Sequence, residues 1–220
     1  MHVSQVKFII SRIDKKMKIY TQTHHHFYKM EGSLDCIIGS MKSGKSSELL
    51  RRLSVESEIG YKVLYVNSLK DTRCENGSPF SSHNPLFSDV LKSDNISSMS
   101  ILHLRDVDSH ILSFDVIGID EAQFFEDLDV VVEWVEKYNK KVIVAGLSST
   151  YERKKFGKIL DLETYCDTFI KLCGICQMCA PQKRRNGIFT HKIVKNGLIE
   201  EVGGKDKYMT LCRECYLKMN

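Results

Sequence analysis

The sequence predicts an α/β protein: a mostly parallel β-sheet flanked by helices, followed by a small cysteine-rich unit. Three observations carry this expectation. Short apolar runs alternate with stretches of helical periodicity between residues 34 and 170, and such alternation builds parallel sheets covered on both faces. A glycine-rich motif joins the first apolar run to the first helical stretch. After Lys171 the alternation stops, and the composition shifts to Cys, Lys, Arg and Gly. A chain of 220 residues suits one such domain plus a small appendage.

The elements follow in order. Leu34-Asp35-Cys36-Ile37-Ile38 reads as a buried strand ended by Gly39. Residues 45–59 read as a helix with Leu49, Leu50 and Leu53 on one face, and Gly60 stands where a C-terminal cap belongs. Val63-Leu64-Tyr65-Val66 is a second strand. Residues 71–100 are polar and serine-rich with two prolines, and read as mainly loop with at most one short helix. Val116-Ile117-Gly118-Ile119 is a third strand, running into Asp120-Glu121. Val130, Val131, Trp134, Val135 and Tyr138 repeat at helical spacing. Val142-Ile143-Val144-Ala145 and Thr168-Phe169-Ile170 complete a set of five strands. The expected division is a basic extension over 1–30, a nucleotide-binding α/β domain over 31–171 and a metal-binding unit over 172–220.

Charge separates the extension from the rest. Residues 1–30 carry a net +5, and the remaining 190 residues carry −1. Basicity therefore belongs to the tail, which speaks against a core built to bind nucleic acid. The tail lacks a secretory cleavage site. A disordered leader, a transit peptide, or translation from Met17 or Met30 all fit its composition. No apolar run reaches the roughly 18 residues of a membrane-spanning helix.

Gly39-Ser40-Met41-Lys42-Ser43-Gly44-Lys45-Ser46 fits G-x-x-x-x-G-K-[ST], the P-loop pattern. Its glycines let backbone amides face phosphate oxygens, and the helix that follows adds partial positive charge. Lys45 is placed to reach the outer phosphates and Ser46 to ligate Mg²⁺. Asp120 and Glu121 end a strand at the edge where a parallel sheet binds ligands. There an aspartate can hold Mg²⁺, and a glutamate can take a proton from an attacking hydroxyl or water. Residue pattern alone leaves nucleotide hydrolysis and phosphoryl transfer both open.

Cys176-x-x-Cys179 and Cys212-x-x-Cys215 are two knuckles separated by 32 residues. Four thiolates can close a tetrahedral, structural Zn²⁺ shell. Cys173 precedes Cys176 by three positions, so spacing leaves the ligand pair ambiguous. Disulfides and an iron–sulfur cluster are the alternatives, and a reducing compartment disfavours the first.

Residues from about 33 to 216 resemble the thymidine kinases of vertebrate cytosol, many bacteria and large DNA viruses. The blocks carrying the resemblance are residues 39–52, Ile117 to Phe125, Ala145-Gly146-Leu147 through Gly157, Lys171-Leu172, both cysteine knuckles, and Val202 to Tyr208. The resemblance implies a P-loop NTPase-like domain with a zinc-ribbon "lasso" that closes over a nucleoside. It implies transfer of the ATP γ-phosphate to the 5′-hydroxyl of thymidine, with Glu121 as general base. Gly39, Ser40, Met41, Lys42, Ser43, Gly44, Lys45, Ser46, Ser47, Asp120 and Gln123 then handle ATP and Mg²⁺. Phe125, Leu147, Tyr151 and Phe156 wall the thymine, and Val202, Gly203 and Tyr208 face the nucleoside. Phe189-Thr190-His191-Lys192 aligns with the nucleoside-facing stretch of the lasso, with Lys183-Arg184-Arg185 as a rival alignment. Cys176, Cys179, Cys212 and Cys215 hold zinc. A cytoplasmic homotetramer inhibited by its triphosphate end product is also implied, without nucleic-acid or membrane partners.

The sequence departs from the family pattern at several places. Ser82-His83-Asn84 stands where Thr-His-Asp is usual, and Ser148-Ser149 where Asp-Gly is usual. Ala122 replaces a glycine, and Lys42 occupies a position where Phe is common. These changes motivate an alternative: a divergent, weakly active or regulatory nucleotide-binding member of the same fold.

Overall fold

A computed structural model describes residues 31–71, 94–193 and 207–219. The basic extension over 1–30, the Ser82-His83-Asn84 segment, Val202 and Gly203 lie outside the described residues.

Six strands form one sheet in the order β3-β2-β4-β5-β1-β6. They are β1 (Ser33–Gly39), β2 (Val63–Ser68), β3 (Ile96–Ile101), β4 (Val116–Ile119), β5 (Lys141–Gly146) and β6 (Thr168–Leu172). Every pairing in the sheet is parallel. Parallel strands need crossovers, and their interior positions are covered on both faces. Hence β2, β4 and most of β1 and β5 are buried along their whole length.

The sheet has one strand more than the five expected. Ile96–Ile101 reads as loop because three serines interrupt it, and only its last residue is buried. It is an edge strand, held by backbone pairing to β2 from Val63↔Ile96 to Ser68↔Ile101. A strand with one free edge needs little side-chain burial, so its apolar signal is weak.

Helix α1 (Lys45–Glu58) buries Leu49, Leu50 and Leu53 against the sheet. Each such side chain contributes about 1.5–3 kcal/mol by leaving water. Its outer face carries Glu48, bonded to Arg51 and Arg52 at helical spacing, and Arg52 reaches Asp35 of β1 at 2.9 Å. Arg51, then Arg52, pulls the Glu48 carboxyl down to about 2. The second α-helix, α2 (Val130–Glu136), buries Val130, Val131 and Trp134. Three 3₁₀ segments, Leu104–Ser113, Ala122–Phe124 and Ile159–Tyr165, replace longer helices elsewhere. No helix among the described residues is long and apolar enough to cross a membrane.

Beyond β6 the sheet gives way to small pairings. Strands β7 (Gly174–Ile175) and β8 (Asn186–Gly187) form one antiparallel pair, and β9 (Phe189–Lys192) and β10 (Tyr208–Leu211) another. Helix α3 (Arg213–Met219) follows. The apolar cluster of this C-terminal unit is small, centred on Leu211, Tyr216 and the knuckle cysteines.

Candidate active site

Parallel register brings three chain segments to one edge of the sheet. Ile38 pairs with Gly146, and Ile119 pairs with Val144. The ends of β1, β4 and β5 are therefore neighbours, and each opens into one of the motif segments.

The phosphate loop fills the first position. Gly44 has φ 86°, the left-handed backbone that a side chain disfavours. That turn lets α1 start at Lys45, so its first N–H groups face the loop. Lys45 is 8 % exposed and its ammonium donates to the Ser40 carbonyl at 2.9 Å. Ser43 Oγ is buried and has no hydrogen-bond partner among the described residues. A buried, unpartnered hydroxyl in this loop is a donor that a phosphate oxygen would satisfy.

The acidic strand end fills the second. Asp120 is 1 % exposed. Its Oδ1 accepts from Ser46 Oγ at 3.1 Å and from the Glu121 N–H at 2.9 Å, while its Oδ2 accepts from the Tyr65 hydroxyl at 2.9 Å. The Ser46 hydroxyl and the Asp120 carboxylate thus form the oxygen pair that would suit a Mg²⁺ ion on bound nucleotide. Glu121 has φ 49° and ψ 40°, a left-handed conformation for a non-glycine residue. Such strain persists only where the surroundings hold it. The Glu121 N–H donates to Asp120 Oδ1 and the Glu121 carbonyl accepts from the Phe124 N–H at 3.1 Å, while the Gln123 amide nitrogen donates to Glu121 Oε2 at 2.6 Å and the Gln123 oxygen accepts from the Leu147 N–H at 2.9 Å. Gln123, expected among the ATP contacts, therefore ties the carboxylate to the third segment.

That third segment, residues 147–157, forms a tight turn closed by the Ser149↔Lys155 bridge. It ends at Gly157, with φ 60°, where an added Cβ would sit 2.4 Å from the Gln123 carbonyl oxygen. Both the backbone angle and the close approach demand glycine. Gly157→Ala is expected to cost on the order of 2 kcal/mol, read as a lower urea midpoint with an unchanged m-value.

The two aromatics that close the acidic segment stand in different surroundings. Phe125 is 1 % exposed and belongs to the main hydrophobic core. Its neighbour Phe124 meets Phe156 edge-on, ring centroids 5.8 Å apart. A 3₁₀ turn over Ala122–Phe124 rotates consecutive aromatics to different sides, which sequence could not resolve. Tyr151 is 9 % exposed, with the Lys192 ammonium 5.6 Å from its ring centre. Across the β9–β10 pair, Lys192 stands opposite Tyr208.

The segment after β6 is bonded directly to the phosphate loop. Met41 N–H donates to Thr190 Oγ1 at 3.1 Å, and its carbonyl accepts from Thr210 Oγ1 at 2.6 Å. Ser40 Oγ donates to the Gly187 carbonyl at 3.0 Å. Lys42, expected on the triphosphate, has φ 59° and donates to Gln177 Oε1 at 3.1 Å and to the Tyr208 carbonyl at 3.0 Å. Its ammonium joins the phosphate loop to the segment after β6. Neither threonine carries a sequence signal for this grip, nor does Tyr65 for its bond to Asp120.

Cys176, Cys179, Cys212 and Cys215 bring their sulfurs within 4.8 Å of one another. Cys179 Sγ lies 3.9 Å from that of Cys212 and 3.6 Å from that of Cys215. Sulfurs at the usual Zn–S distance on a tetrahedron are about 3.8 Å apart, so the set fits zinc. Cys173 is exposed and outside the cluster, which resolves the spacing ambiguity. The backbone N–H of Cys215 is the main cause pulling the Cys212 thiol down to about 6, against burial, with Arg185 adding to it. A thiolate is the form a metal takes.

The family model described as thymidine kinase matches residues 32–216. Human cytosolic thymidine kinase is 37 % identical over 190 residues, covering 86 % of this chain and 75 % of its own length. The thymidine kinase of Sheeppox virus (strain KS-1) is 38 % identical over 187 residues, covering 84 % of this chain and 97 % of its own. Among solved structures, the flagellar accessory protein FlaH from Methanocaldococcus jannaschii overlays with a TM-score of 0.42 at 16 % identity, over 64 % of this chain and 71 % of that one.

Proposed function

This chain belongs to the thymidine kinase family, and we propose that it transfers the γ-phosphate of ATP to the 5′-hydroxyl of thymidine, giving dTMP and ADP. The observation that carries the reading is the Glu121 carboxylate, fixed by Gln123 beside the Ser46–Asp120 pair at the mouth of the phosphate loop. A carboxylate fixed next in sequence to the residue that would hold the metal is what a hydroxyl nucleophile requires.

In the proposed reaction the loop amides over residues 39–47, together with Lys45, hold the triphosphate and orient its terminal phosphorus. Ser46 and Asp120 would hold Mg²⁺, which supplies charge neutralisation on the phosphates when bound. Glu121 accepts the proton of the 5′-hydroxyl as that oxygen bonds to the γ-phosphorus. The bond from that phosphorus to the β,γ-bridging oxygen breaks, and ADP leaves. Phe125, Leu147, Tyr151 and Phe156, with Phe124 edge-on to Phe156, form the wall against the base, whose flat face suits aromatic contact. Val202, Gly203 and Tyr208 close the nucleoside side, as part of a lasso unit over 172–220. Cys176, Cys179, Cys212 and Cys215 would hold a structural zinc ion, which cross-links that unit. Family membership further supports a cytoplasmic homotetramer inhibited by its triphosphate end product.

Purified protein with ATP and Mg²⁺ is expected to form dTMP from thymidine and far less product from deoxycytidine. Absence of dTMP from a folded, ATP-binding sample would overturn the reading.

A further inference from the structure

Residues 147–157 carry three of the proposed base contacts, yet the turn does little to fix its own orientation. Thr150 N–H donates to the Lys154 carbonyl at 2.8 Å, Arg153 N–H to the Thr150 carbonyl at 3.0 Å, and Phe156 N–H to the Ser148 carbonyl at 3.3 Å. These bonds set the turn's shape and stay inside it. Among the described residues two backbone groups reach out: the Leu147 N–H, at the start of the segment, bonds Gln123 Oε1 at 2.9 Å, and the Tyr151 carbonyl, at its tip, bonds across to α3. The Tyr151 carbonyl accepts a buried hydrogen bond from the Tyr216 hydroxyl at 2.6 Å, across 65 positions of sequence.

Tyr216 is itself well fixed. It follows Cys215 directly on α3 and is 4 % exposed. Its ring lies 4.9 Å from that of Phe189, tilted by 44°, and meets His191 edge-on at 6.2 Å. The guanidinium of Arg153, a residue of the same turn at φ 64°, stacks 5.1 Å from the ring centre. Arg153 also approaches Phe189 at 5.7 Å, with Arg213 at 5.1 Å from that same ring. Two independent contacts, a hydroxyl bond and a cation–π stack, therefore hold the turn onto the residue adjoining a knuckle cysteine.

We propose that Tyr216 is a positioning residue for the nucleoside pocket: its hydroxyl fixes the Tyr151 backbone, and through it the Tyr151 ring, so that the cysteine-bearing unit sets thymidine affinity. The proposal rests on the thymidine kinase reading and extends it to a residue that need not touch the nucleoside. Removing the hydroxyl leaves the ring packing in place and a buried carbonyl unpaired. The cost then falls on the one segment that this bond orients.

Tyr216→Phe in the full chain is expected to raise the KM for thymidine about tenfold. The kcat, the KM for ATP and the zinc content should stay near wild type. Amide hydrogen exchange over residues 148–156 should quicken in the substrate-free protein while the knuckle segments keep their protection. An unchanged thymidine KM, or thymidine KM, ATP KM and kcat shifting together, would overturn the proposal, as would unaltered exchange in that segment. If Tyr216→Phe does not fold, Arg153→Met, which removes only the stacked guanidinium, should move the same KM in the same direction, and no movement overturns it. Wild-type protein that makes no dTMP counts against the kinase reading instead, whereas the exchange measurement tests the tether without turnover.

Discussion

Glu121→Gln is expected to lower kcat for thymidine phosphorylation by about 10²–10⁴-fold, the usual worth of a positioned general base. The substitution is nearly isosteric, so the left-handed backbone at φ 49° survives. The new amide can still offer its oxygen to Gln123, which donates to Glu121 Oε2 at 2.6 Å. What it cannot do is accept the proton of the 5′-hydroxyl. The KM for ATP should change little, because the phosphate loop and the Ser46–Asp120 bond at 3.1 Å involve other atoms. Steady-state kinetics with both substrates varied, alongside thermal unfolding, separates lost chemistry from lost fold. Wild-type kcat in this variant would remove Glu121 from the role of base.

The architecture was largely legible in the sequence, and the reason is physical. Parallel strands buried on both faces read as continuous apolar runs, so β1, β2, β4 and β5 stand out. The edge strand Ile96–Ile101 did not, because backbone pairing to β2 holds it with little apolar burial. The phosphate loop was legible because backbone geometry demands particular residues at fixed spacing. Contacts between distant segments were not. Gln123 reads as an ATP contact and Thr190 as part of a nucleoside-facing stretch, while Thr210 and Tyr216 are unmarked; their bonds to Glu121, Leu147, Met41 and Tyr151 exist only once the fold juxtaposes them. The Phe124–Phe156 contact shows the same limit at one-residue scale: the sequence singles out Phe125, and a 3₁₀ turn sets Phe124 against Phe156.

Cys212→Ser is expected to lose most of the zinc that wild-type protein should carry at about one ion per chain, measured by elemental analysis. The loss should be large in energy as well. Structural zinc in small domains contributes on the order of 10 kcal/mol. The apolar cluster of the segment after β6 holds Leu211 and Tyr216 with Phe189 and Met209 packed on them, the rest being the cysteines themselves. Among the described residues of this segment, two short antiparallel pairs and a seven-residue helix bury little else. The damage should not stay local. Thr190 and Thr210 hold both backbone groups of Met41, and Lys42 bonds the Tyr208 carbonyl at 3.0 Å, so loosening β9 and β10 frees the phosphate loop. Both substrate KM values should rise in Cys212→Ser, unlike in Tyr216→Phe, where only that for thymidine should. Cys173→Ser is the matched control, since Cys173 is exposed and outside the sulfur cluster. Full zinc in Cys212→Ser, or zinc lost from Cys173→Ser, would show that a different set of thiolates binds the metal.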